Sequence, residues 1–139
     1  MRLFTIGDPH LSFGSSKPMD IFKGWQNHVT RLEQNWNKVV TAEDTTVICG
    51  DLSWGLDLEE AKPDFAFLDR LNGKKILLRG NHDYWFSTYT KTVAFFEENG
   101  FSSLSLLFNN AYRFGDIAIC GTRGWGSAPG EQAEKKVLN

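Results

Sequence analysis

Apolar and polar positions repeat along this chain with two periods. Residues 2–7 form a short β-rich run that stops at a polar loop holding Gly14, Ser15, Ser16 and Pro18, and read as a first strand. From Trp25 onward, Val29, Leu32, Trp36 and Val39 recur at three- and four-residue steps, which predicts an amphipathic helix. Residues 45–49 are a continuous β-branched run closed by Gly50 and Asp51, the pattern of a strand buried on both faces. A second helical period runs through Leu58, Ala61, Phe65, Leu68 and Leu71. Pro63 is expected to confine regular helix to the part after it, with Gly73 as the carboxyl cap. Residues 75–79 read as a third strand. Residues 91–98, carrying Val93 and Phe96 and stopping at Asn99 and Gly100, read as a third helix.

Beyond residue 100 the pattern changes. Residues 105–108, 111–114 and 117–120 are separated by Asn109-Asn110 and Gly115-Asp116, both suited to tight turns, which predicts an antiparallel meander. The order is βαβαβα followed by hairpins: an α/β fold with a largely parallel sheet, right-handed crossovers and a later antiparallel portion. A length of 139 residues suits one domain, residues 1–139. Residues 131–139 read as the first turns of a helix with no cap and no stop signal, so the expectation is a domain cut short at its carboxyl end.

With 41% hydrophobic and 23% charged residues, nothing suggests disorder. A formal charge of −2 offers no broad basic surface, so a nucleic-acid partner is not indicated. The first residues reach Asp8 too early for a signal-peptide core and no segment has the length of a membrane span, so the expected location is the cytoplasm and no membrane partner is expected. Cys49 and Cys120 each follow apolar residues and read as free, buried cysteines.

Three polar clusters fall where parallel strands are expected to end: Asp8-Pro9-His10, Gly50-Asp51, and Gly80-Asn81-His82-Asp83. Open α/β sheets bind ligands beyond the carboxyl ends of their strands, so these loops are expected to converge. They would gather two carboxylates, a carboxamide and two imidazoles, a donor set suited to Mn, Fe or Zn. Two such ions carry about +4, of which Asp8 and Asp51 offset about 2, leaving a surplus that attracts a phosphate ester. Asp51, central among the loops, is the natural bridge between two ions, and the glycines before Asp51 and Asn81 leave room for ions and substrate.

In this order, Asp8-x-His10, Gly50-Asp51 and Gly80-Asn81-His82-Asp83 resemble the first three signature blocks of the calcineurin-like metallophosphoesterase family, a match reaching to about Tyr84. The stretch 119–125 is similar to the next strand and loop of a bacterial branch of predicted phosphohydrolases. The resemblance implies a sandwich of mixed β-sheets flanked by helices and an amino-terminal portion of that domain. It implies that Asp8, His10 and Asp51 ligate one divalent ion and that Asp51 and Asn81 ligate a second. His82 would face the substrate and stabilise the phosphoryl group or protonate the leaving alcohol, with Asp83 fixing its orientation through a hydrogen bond. The implied activity is hydrolysis of a phosphomonoester or phosphodiester by a hydroxide held on the dinuclear centre. The family's later histidines, including a Gly-His-x-His pair, have no counterpart, since the chain holds only His10, His28 and His82.

Taken singly, these aspartates could be helix caps or loop carboxylates and His10 a surface residue; together at three strand ends they favour a shared site. His28 reads as a partly exposed helix residue and not a ligand. Arg79 and Arg123 could fork a phosphate or make structural ion pairs, and Trp54, Trp85 and Trp125 could wall a pocket or pack in the core. The alternative to an enzyme is a phosphoesterase-like fold acting as a non-catalytic binding or scaffolding module.

Overall fold

The computed structural model of the chain describes residues 1–124. The expectations for Trp125 and for a helix over 131–139 lie outside the described residues. In chain order the elements are β1 (Leu3–Ile6), α1 (His28–Val39), β2 (Thr45–Ile48), α2 (Leu58–Arg70), β3 (Lys74–Leu78), α3 (Tyr89–Glu98), β4 (Leu104–Leu107), β5 (Asn110–Phe114) and β6 (Ile117–Gly121). Strands β1 to β4 form a parallel four-stranded sheet in sequence order, and β5 and β6 form a separate antiparallel pair. This is the expected α/β class, with helices flanking the larger sheet.

The meander expected from residue 105 is corrected. β4 runs parallel to β3, with Leu106 opposite Leu77, and only β5 and β6 make a hairpin. The reason is α3: a helix between two strands carries the chain back to its starting edge, so the next strand enters in the same direction. A tight-turn dipeptide after a strand shows where it stops and carries no information about which neighbour it pairs with. The hairpin turn itself falls at Gly115, whose φ of 56° glycine adopts without steric cost.

A second correction concerns Pro63, which lies inside α2. Its exposed position explains this, because the backbone bond it forfeits is to Glu59, itself on the solvent side where water can satisfy the carbonyl. The Asp57 carboxylate accepts the Glu60 N–H and holds the first turn in place. In α1 the stripe is carried by Val29, Leu32 and Trp36, while Val39 is 48% exposed and Val40 beyond it is buried instead.

One face of the sheet, through Ile48, Leu77 and Leu106, packs on Trp36 from α1, Phe65 and Leu68 from α2, and Phe95 and Phe96 from α3. On the opposite face, Leu3, Thr5 and Cys49 are exposed. Both cysteines are free, as expected, and both are exposed, which corrects the expectation of burial. Cys49 follows β2 on the uncovered face and Cys120 lies on the thinly covered hairpin. No helix among the described residues is long and apolar enough to cross a membrane.

Lys75, fully buried on β3, points its ammonium into the carboxyl end of α2, where it donates to the carbonyls of Asp69 (3.1 Å), Leu71 and Gly73 (2.7 Å). It acts as a helix cap supplied from the sheet. Burial pushes its pKa down from 10.5 to about 8, against the pull of Asp69. The folded chain therefore releases this proton at lower pH than the unfolded chain, and stability gains as pH rises between the two values. Urea unfolding between pH 7.5 and 10 should show stability rising with pH, and Lys75→Met should flatten the rise; an unchanged slope in the variant would assign the effect elsewhere.

Candidate metal centre

Because β1, β2 and β3 are parallel and in register at Ile6, Ile48 and Leu77, the loops that follow them leave the sheet at one edge. The first two continue side by side. Asp8 donates its N–H to Gly50 (3.1 Å), His10 to Asp51 (2.9 Å) and Leu11 to Leu52 (2.9 Å), and Trp54 donates back to Leu11 (2.9 Å). Within this ladder Asp8, His10 and Asp51 hold left-handed backbone, at φ 56°, 44° and 52°. Such conformations are uncommon for residues with a side chain and cluster where function demands them.

The third loop closes against the second. A Cβ on Gly80 would lie 2.1 Å from Asp51 Oδ1, and one on Gly50 would lie 2.7 Å from the Gly80 Cα, so both positions require glycine for the loops to touch. Asp83, 1% exposed, fastens them. Its carboxylate accepts the N–H groups of Leu52 (2.7 Å), Ser53 (3.2 Å) and Gly80 (2.6 Å) and the indole N–H of Trp85 (2.8 Å). Burial pushes the Asp83 carboxyl up, and these donors offset only part of that.

The result is a cluster in which one ligand atom each from Asp8, His10 and Asp51 lies within 4.8 Å of the others. His10 Nε2 is 3.7 Å from Asp8 Oδ1 and 3.7 Å from Asp51 Oδ2. Donors about 2.1 Å from a shared divalent ion lie roughly 3–4 Å apart, so the arrangement fits one with small movements. Asp51 also accepts two bonds from His82, from the backbone N–H at 2.9 Å and with Nδ1 2.9 Å from Oδ2. Burial alone would raise the Asp51 carboxyl, but these bonds and the positive potential of His82 and His10 outweigh it and hold the group below its usual range.

Of the residues singled out in the sequence, Asp8, His10, Asp51 and His82 are thus brought together. Asn81 sits on the same loop, exposed, with no hydrogen bond tying its carboxamide to the cluster. The bond expected from Asp83 to His82 is replaced by the Asp51 contact, because Asp83 is already saturated by four donors from beneath. His28 is partly buried against Trp25, with ring centroids 5.0 Å apart, and stays outside the cluster. Trp85 is a core residue. Arg79 forms no ion pair among the described residues; its guanidinium lies 4.7 Å from the Phe86 ring centroid and its Nε is buried without a partner.

Two contributors were not read from the sequence. Asp64 on α2, fully buried, accepts the Phe13 N–H (2.8 Å) and the Ser53 hydroxyl, so one helix carboxylate pins both the β1 and β2 loops. A carboxylate among Ala61, Phe65 and Leu68, on the apolar face of a helical period, was the available signal. Trp25, read as a helix residue, instead lies before α1 and meets His10 in an edge-on ring contact with centroids 5.9 Å apart; no local signal marks that return.

An α/β sheet with an Asp, His, Asp cluster at its carboxyl edge offers three donors to a divalent cation at one point. The family profile for calcineurin-like phosphoesterases matches residues 1–132, and the chain belongs to that family. Among relatives, an uncharacterised protein of Methanocaldococcus jannaschii is 31% identical over 87 residues, covering 59% of this chain and 47% of that protein. Among solved structures, a protein of unknown function from Aquifex aeolicus aligns with a TM-score of 0.49 and 21% identity, over 84% of this chain and 56% of the other. The chain spans about half the length of these relatives.

Replacing Asp83 by Ala strands four donors, three of them buried. Since each costs about 1–3 kcal/mol when unpaired, the variant should lose on the order of 3 kcal/mol or more in urea unfolding, and Asp83→Asn, which keeps one acceptor oxygen, should lose less.

Proposed function

We propose that this chain supplies the catalytic centre of a metal-dependent phosphohydrolase acting on a phosphomonoester or phosphodiester. The observation that carries this is the convergence of Asp8, His10 and Asp51 within 4.8 Å, on left-handed backbone, with His82 bonded to the same Asp51 carboxylate. Asp8, His10 and Asp51 would hold one divalent ion, and Asp51 with Asn81 a second, drawn from Mn, Fe or Zn. When bound, such ions polarise phosphoryl oxygens and acidify water enough for it to attack phosphorus near neutral pH.

The protein's own groups do the rest. His82, with its side chain 40% exposed, keeps Nδ1 on Asp51 and leaves Nε2 for the substrate. As imidazolium, Nε2–H can bind a phosphoryl oxygen or pass its proton to the leaving alkoxide. Asp83 and Asp64 act from below, holding the three loops at the spacing the donors need. Arg79 leaves β3 one residue before Gly80, and we assign its guanidinium to a phosphate oxygen, which would engage a donor that is now buried without a partner.

In the purified protein, hydrolysis of an aryl phosphate should require added Mn or a similar ion and stop on chelation. Asp51→Asn should lower the rate by at least ~100-fold, the upper end of what losing a mere supporting group costs. Turnover that survives both chelation and the substitution would rule out this chemistry.

A further inference from the structure

We propose that Trp54 is the positioning residue of the centre, its indole setting the ring plane of His10 in place of the hydrogen bond that normally orients a ligating imidazole, and packing on the His82 ring that Asp51 already holds. The inference rests on the metal-binding reading above. Ligating histidines almost always donate their second ring N–H to a carboxylate, a carbonyl or water, and that bond fixes the ring orientation. In His10 neither ring nitrogen has a hydrogen-bond partner among the described residues; the Asp8 and Asp51 carboxylates stand off at 3.7 Å. What touches the ring is aromatic. Trp54 lies nearly parallel to it, with centroids 5.2 Å apart and planes 24° apart, while Trp25 meets it edge-on at 5.9 Å and 67°. Rotation of the imidazole about its own bond is opposed on one side by an indole face and on another by an indole edge.

The same indole reaches the second imidazole. Trp54 and His82 have centroids 5.1 Å apart, closer than His10 and His82 at 6.0 Å, so Trp54 contacts both rings at shorter range than they contact each other. Its placement is backbone-driven. The Trp54 N–H bonds the carbonyl of Leu11, the residue after His10, so the indole and the imidazole are carried on one ladder and cannot shift independently. The indole N–H is itself buried and without a partner. A residue chosen for packing alone would avoid an unmade buried bond; contact with both imidazoles gives the large ring a reason to be there.

Cobalt(II) titration of the 139-residue chain, followed by its visible absorption, tests this without any turnover. Trp54→Leu should weaken cobalt binding by about 10- to 100-fold and change the band shape, with the unfolding midpoint near that of the native chain, and Trp54→Phe should restore most of the affinity. In a 5-fluorotryptophan-labelled native chain, the Trp54 fluorine resonance should shift in step with zinc binding, a measurement that does not depend on a variant folding. If Trp54→Leu binds cobalt with native affinity and spectrum, or the Trp54 resonance ignores the metal, the positioning role fails while the metal centre stands. If the native chain gives no cobalt band, the metal centre fails and this role with it.

Discussion

The Asp83 carboxylate collects N–H groups from Leu52 and Ser53 after β2, from Gly80 after β3 and from the Trp85 indole. Everything exposed at the site depends on that buried junction. Two parallel strands deliver their loops to the same edge but do not make them touch, and loops full of polar backbone tend to separate and hydrate. Once Asp83 holds Gly80 against Asp51, the His82 N–H falls on the Asp51 carboxylate and the third loop joins the first two. Asp64 does the same work between the β1 and β2 loops from α2. Two buried acids therefore act as fasteners, while Asp8 stays exposed at the cluster.

Drawing Asp8 and Asp51 toward one point is costly in Coulomb terms, and three site residues in left-handed backbone add strain. Packing does not ask for either cost. A structural loop would relax both by moving the carboxylates apart, so their persistence supports the proposed cation site. The aromatic surroundings of His10 point the same way, because they restrict the imidazole without satisfying its nitrogens.

Much of this was legible in the linear pattern. The alternation of β-branched runs with helical periods identified β1 to β3 and α1 to α3, and the polar clusters at strand ends marked Asp8, His10, Asp51 and His82 as neighbours. The illegible parts have specific physical causes. β4 could not be told from a hairpin strand, since four residues carry no sign of strand direction. Pro63 looked like a helix boundary because sequence does not show whether the forfeited bond faces water. Cys49 looked buried because a strand pattern does not show which sheet face is covered. Asp83 was read as the partner of its neighbour His82, when its carboxylate is taken up by Gly80 and Trp85 nearby and by Leu52 and Ser53 from a distant loop.

The sequence by itself determined the donor types and the strand-end positions that bear them, because local propensity and the short motifs around Gly50 and Gly80 act within a few residues. Only the tertiary structure decided which donors meet and what holds them. The His82 contact with Asp51, the Asp83 and Asp64 fasteners and the Trp25 and Trp54 rings around His10 all depend on strand register and on helix return. Those distances are set by the packed core as a whole, and no local segment encodes them.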